Sequence, residues 1–334
     1  MKKEREMAVK SPIVPLMETF RGRPLLQRGR GKDKFALFFV AFAFFALYSC
    51  SAAQKNAEPV LSSADEAAIQ AGEAFRRGDF SRAETIFNQA LRLYRTMDDR
   101  PGELQTLINL GRTHIVLGGF EEAKAVLDGA LVLAARLGDA EKTAEVYATL
   151  SKAHHLSGSH AEALEYIEKS LSMPGIKDSQ KGERLNLKGM SLMGAGKNAE
   201  ARAAIVEALR LNDSSGAVQE AANSKRALAS MNIAEGDPGR AFRLFSEAYE
   251  IDKASGDPRK IASDLFGMGN SLLAGKKPDD AVFVLERAYL VSYNAGFLKD
   301  SSLILDVLID ALKESGDEAR GARYIKLREG INPP

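Results

Sequence analysis

Small and large apolar residues recur along this chain in a fixed order. A Gly or other small residue is followed three positions later by an aromatic residue, His or Leu, and then by a Gly. After that come a small residue, a large apolar residue four later, and another small residue three beyond. The first copy is Gly72, Phe75, Gly78, Ala83, Phe87, Ala90. Gly111, His114, Gly118, Ala123, Leu127, Ala130 repeats it, as do Ser151, His154, Gly158, Ala163, Ile167, Ser170 and Gly189, Leu192, Gly196, Ala201, Ile205, Ala208. Two copies are weaker at the front: Ala229, Gly236, Ala241, Phe245, Ala248, then Gly269, Leu272, Ala281, Leu285, Ala288. A seventh, Leu312, Gly316, Gly321, Ile325, is degenerate. Spacings of three and four put residues on one face of a helix. Each copy therefore predicts a helical hairpin, helix A then helix B, and seven hairpins account for residues 65–329.

The residue types have physical reasons. Small residues let two helices approach, and large apolar residues fill the groove beside them. Gly at the end of helix A supplies a left-handed cap. Ser81, Asp237-Pro238 and Lys277-Pro278 mark starts of B helices and Asp257-Pro258 that of an A helix, since Pro is tolerated where no N–H is needed. Ser63 with Glu66 three residues on predicts a capping box at the first helix. A single hairpin cannot bury its apolar face, whereas a stack of them can.

Spacing and residue types resemble tetratricopeptide repeats, in particular the variety of about 40 residues. Ala135-Arg136-Leu137-Gly138-Asp139 and Ala254-Ser255-Gly256-Asp257 resemble the junctions between repeats of that variety. The resemblance implies an all-α, right-handed α-solenoid whose concave face, lined by A helices, binds a protein or peptide. Counting from each motif's small residue, it places Asn109, Arg112, Lys152, His155, Asn186, Arg226 and Asn270 in or near that groove. The same residues also fit an ordinary solvated helix face. Ile69 and Glu73 stand at the first positions of the family's carboxylate clamp, which excludes that subclass.

Charge divides the chain. Residues 1–34 carry ten Lys/Arg against four Asp/Glu, residues 35–50 carry none, and the remainder is acidic by five charges. A basic head, an apolar stretch and an acidic body are the order of an export signal and its cargo. The acidic body argues against nucleic-acid binding, which needs a basic footprint. The apolar stretch, residues 35–48, is shorter than the roughly 20 residues of a membrane-spanning helix. It runs into Leu47-Tyr48-Ser49-Cys50, which resembles a bacterial lipobox and contains the chain's single cysteine. The expectation is a signal peptide over 1–49, lipidation at Cys50, and a tether over 50–64 interrupted by Pro59. Cleavage after Ala53 and an uncleaved signal anchor remain open. Ser51 after the cysteine implies, by the same resemblance, an outer-membrane protein facing the periplasm.

Catalytic signals are weak. His114 and His154 occupy the aromatic packing position of the motif, whereas His155 and His160 are expected to face solvent without the ligands of a zinc site. Gly269 to Lys277 fails as a phosphate loop, since five residues separate its glycines and Lys277 stands where a hydroxyl is needed. No cofactor or metal is expected, and no enzyme. The resulting expectation is a membrane-anchored adaptor for partner proteins, with a sensory module for a small molecule or cell-wall fragment as the alternative.

Overall fold

The computed structural model describes residues 62–331, which contain fourteen α-helices and no strand. The signal segment, Cys50, the cleavage position at Ala53 and residues 50–61 of the tether lie outside the described residues. The first four hairpins are α1 (Ser63–Arg76) with α2 (Phe80–Thr96), α3 (Arg100–Leu117) with α4 (Phe120–Leu137), α5 (Ala140–Leu156) with α6 (His160–Ser172), and α7 (Asp178–Gly194) with α8 (Asn198–Ser215). The last three are α9 (Val218–Ala234) with α10 (Pro238–Ser255), α11 (Pro258–Ala274) with α12 (Pro278–Asn294), and α13 (Leu298–Ser315) with α14 (Glu318–Gly330). Each helix packs on its hairpin partner and on the next hairpin, which makes an α-solenoid. No described helix is long and apolar enough to cross a membrane.

The motif positions form the core. Ala83, Ala123, Ala163, Ala201, Ala241 and Ala281 are fully buried, and beside them Phe87, Leu127, Ile167, Ile205, Phe245 and Leu285 are at most 5 % exposed. The exception is Ile325, which is 42 % exposed. Among the described residues no hairpin beyond α14 covers it, and Gly321 is the only buried residue of that helix.

One residue with positive φ sits in every turn. These residues fall twenty positions apart from Gly78 to Gly158 and again from Gly196 to Gly316. Asp98 and Lys276 hold two of those places without being glycine. The rhythm breaks once, around Gly175, because α6 has 13 residues while the other internal B helices have 17 or 18.

Several helix starts differ from expectation by a residue or two. The capping box joins Ser62 to Asp65 rather than Ser63 to Glu66: Asp65 N–H donates to Ser62 Oγ and Ser62 N–H to Asp65 Oδ2, each at 3.1 Å. The Tyr94 hydroxyl donates to Asp65 at 2.8 Å, so a tie from α2 fixes which acid closes the box. Residues 63 and 64 consequently belong to α1 and not to a tether. Helix α2 is capped by Asp79, which puts Ser81 inside the first turn. Asp237 and Asp257 cap α10 and α11 with Pro at the first helical position, while Lys277 precedes Pro278 without a side-chain cap.

Candidate functional site

Consecutive A helices are laced together by polar side chains. Lys142 of α5 donates to Gln105 of α3, and Arg112 of α3 reaches Glu145 of α5 at 2.9 Å. Gln180 of α7 donates to Glu141 of α5 at 3.0 Å, and Lys260 of α11 to Gln219 of α9 at 3.1 Å. Lys152 of α5 shows how closely these helices converge. It is exposed, yet the surrounding protein and then Arg112 hold its ammonium pKa below the ordinary value, against the opposing pull of Glu183 and Glu220. Glu183 is the counterpart: desolvation, then Glu220, raise its pKa, while Arg112, Arg184 and Lys152 lower it. Residues from α3, α5, α7 and α9 thus share one electrostatic environment, and Lys260 of α11 also acts on Lys152.

Helical geometry sorts the expected groove residues. At about 100° per residue, the positions one after and six before a motif's small residue lie within roughly 20° of each other. Arg112, Lys152 and Asn270 hold the first, and Gln105, Glu145, Glu183 and Asn223 the second. Arg112 and Asn270 are half-buried, and Asn270 has no hydrogen-bonded side-chain partner among the described residues. Asn109, two before, is half-buried and accepts from Gln105 at 3.3 Å. Positions three before and four after turn back toward the packed side, and there the expectation fails.

Asn186 is buried: its amide donates to the Glu220 carbonyl at 3.0 Å and accepts from Ser224 Oγ at 2.7 Å, locking α7 to α9. Arg226 is consumed by Asp252, Asp264 and Asn223, with both aspartates fully buried. Burial of this cluster pushes the Asp264 carboxyl up to about 7, opposed by Arg226 and reinforced by Asp252. His155 packs its ring 5.3 Å from that of His160, and the Nδ1 atoms of both are buried without a partner. The tight α5–α6 turn folds His160 back onto α5, and Gly194 of α7 leaves room for its ring. These two histidines therefore do not face solvent. His154 stacks on Tyr166 at 5.2 Å, and His114 lies 3.7 Å from Glu84, as packing residues do.

The sequence reading missed Gln105, Lys142, Glu145, Glu183, Glu220 and Lys260. The first, third and fourth repeat one motif position, which was the available signal. An open cleft of about 420 Å³ lies elsewhere, at the α13–α14 turn, but its Arg320 is engaged by Glu286 and Asp317. Among the described residues, no group of three or more His, Cys, Asp or Glu is placed to hold a metal ion.

Two tetratricopeptide-repeat family models match, one over residues 102–174 and one over 186–258. The chain is a tetratricopeptide-repeat protein. Solved structures of the same fold include a Rap protein complexed with competence and sporulation factor, with a TM-score of 0.65 and 12% identity over 91% of this chain and 87% of that one. The apo form of RapI gives 0.59 and 14% over 81% and 97%. BtubC from P. vanneervenii gives 0.51 and 18% over 71% and 93%. At these identities the likeness shows the fold alone. No curated protein matches the sequence. Tetratricopeptide repeats make the chain a protein-interaction scaffold, and proteins built from them are typically non-catalytic.

Proposed function

We propose that this repeat protein is a lipid-anchored adaptor of the bacterial envelope, which holds an extended segment of a partner protein along the A-helix face and supports assembly of an envelope complex from the periplasmic side of the outer membrane. One observation carries the groove: hydrogen bonds lace α3 to α5, α5 to α7 and α9 to α11 along this face, and the charges of Arg112, Glu183, Glu220 and Lys260 all act on Lys152 of α5. Lys152 and Glu183 have no hydrogen-bonded side-chain partner among the described residues, so the face offers a donor and an acceptor to a peptide backbone and its side chains. The anchor rests on the lipobox-like Leu47-Tyr48-Ser49-Cys50 after an apolar run.

Two experiments test the two halves. Intact mass and membrane fractionation of wild type and Cys50→Ala, expressed in a bacterium, test the anchor. The expected result is a mass corresponding to cleavage before Cys50 plus acyl chains, and release of the variant from membranes; an uncleaved, unmodified cytosolic chain overturns it. A photo-crosslinking amino acid at Lys152 or Asn270 should trap a stoichiometric protein partner, and one at the exposed Val132 should not. Purified protein that binds muropeptides and traps no protein would replace the adaptor with the sensory alternative.

A further inference from the structure

In most repeats the residue four after the B helix's last small residue is buried: Tyr94, Ala134, Asn212, Asp252 and Ser292 are each at most 5 % exposed. Two of these meet the next A helix at the position five before its motif residue. Asn212 Nδ2 donates to Ser224 Oγ at 3.2 Å, and Asp252 shares the Arg226 guanidinium with Asp264. In α6 and α7 the corresponding residues are Pro174 and Arg184. Helix α6 stops at Ser172, about a turn early, and Pro174 has no polar side-chain atom. Pro174 therefore offers Arg184 no side-chain acceptor.

Arg184 shows the consequence. It is 5 % exposed, and its Nη1 is buried with no hydrogen-bond partner. Burial lowers its pKa, and Glu183, Glu145 and Glu141 oppose that shift from a distance. Glu145 is committed to Arg112 and Lys142, and Glu141 to Gln180. A buried cation without a partner is costly. A carboxylate relieves it best, since one planar acceptor takes two parallel N–H bonds and cancels the charge.

We infer that Arg184 is a receptor for a single carboxylate supplied by the bound partner, standing where the missing turn of α6 would have put a side chain. The inference rests on the groove reading above and names a group of the same partner, bound beside the groove where α7 meets the end of α6. The carboxylate is an acidic side chain or a free chain terminus, and the test separates them.

The test follows the Arg Nε–Hε NMR signals of the full-length protein during titration with two peptides, acetyl-hexaglutamate amide and hexa-alanine with a free C-terminus. A saturable shift of the Arg184 signal with the first assigns a side-chain carboxylate, and with the second a terminal one; no saturable shift with either overturns the inference. Arg184→Met should lower affinity for the responding peptide by about tenfold or more. The same substitution should raise the melting temperature, because it removes an unpaired buried charge. A variant that melts lower with unchanged affinity would make Arg184 a packing residue and sink the inference. Partner crosslinking from Lys152 that survives in Arg184→Met at wild-type affinity would leave the groove reading standing and remove only this site.

Discussion

At the scale of single residues, the repeat is enforced by contact distances. A Cβ added at Gly111 would lie 2.6 Å from the Leu127 side chain, and one at Gly269 2.6 Å from that of Leu285. Both positions are motif residues on an A helix facing the large apolar residue of its own B helix. Gly111→Ala or Gly269→Ala should therefore cost about 1–3 kcal/mol despite Ala's better helix propensity, measured by urea denaturation. Lys276 works in the opposite sense. It adopts a φ of 56°, a conformation strained for a residue with a Cβ, at a place where other repeats use Gly. Lys276→Gly should gain up to about 1 kcal/mol in the same assay. The small and large motif positions were readable in sequence because local sterics dictate them. The left-handed turns at Asp98 and Lys276 were not, since neither residue advertises that conformation and Gly275, one place early, has φ of −82°.

Between elements, the buried cluster joining α9, α10 and α11 governs the response to pH. Asp264 has its pKa raised, to about 7, above the unfolded carboxyl value near 4. Its contribution to stability is fully present below the unfolded pKa and is lost as pH rises through about 7. The melting temperature should thus fall from about pH 4 to about pH 7 and level off above, and Asp264→Asn should flatten that dependence. Arg226→Met should cost about 3–5 kcal/mol at pH 7 by leaving two buried carboxyls without their cation. A variant as stable as wild type would show that the pair of acids is satisfied by other means. Sequence alone put Arg226 and Asn186 in the groove. They sit three before the motif residue, about 60° from it, on the side where helices interlock, and only the buried acids and Ser224 that receive them reveal this.

Across the described repeats, the stack needs its last hairpin as a cover. Helix α14 presents Arg320, Arg323, Lys326 and Arg328 outward and buries only Gly321, while α13 contributes Ile304, Leu305, Leu308 and Leu312 to the core. Deleting residues 299–334 should expose Val282, Leu285 and Tyr289 of α12 and cause aggregation, seen by light scattering; a soluble truncation of unchanged helicity per residue would contradict this. The number of hairpins and their phase were legible because every copy repeats the same steric problem. The binding face was half legible, since polar residues on a solenoid obey no such constraint. The shortened α6 also has a mechanical meaning. The apolar cluster that ends at Val146 and Leu150 and the one that contains Leu192 are separate; Leu164 of α6 packs on the second, and polar ties cross from the third hairpin to the fourth, Lys188–Glu168 at 2.5 Å between α7 and α6 and Gln180–Glu141 between α7 and α5. Polar ties of this kind yield to water more readily than interdigitated side chains do. A pull applied between residues 63 and 330 should find its weakest link there, so that the repeats extend as two blocks in succession rather than as one spring.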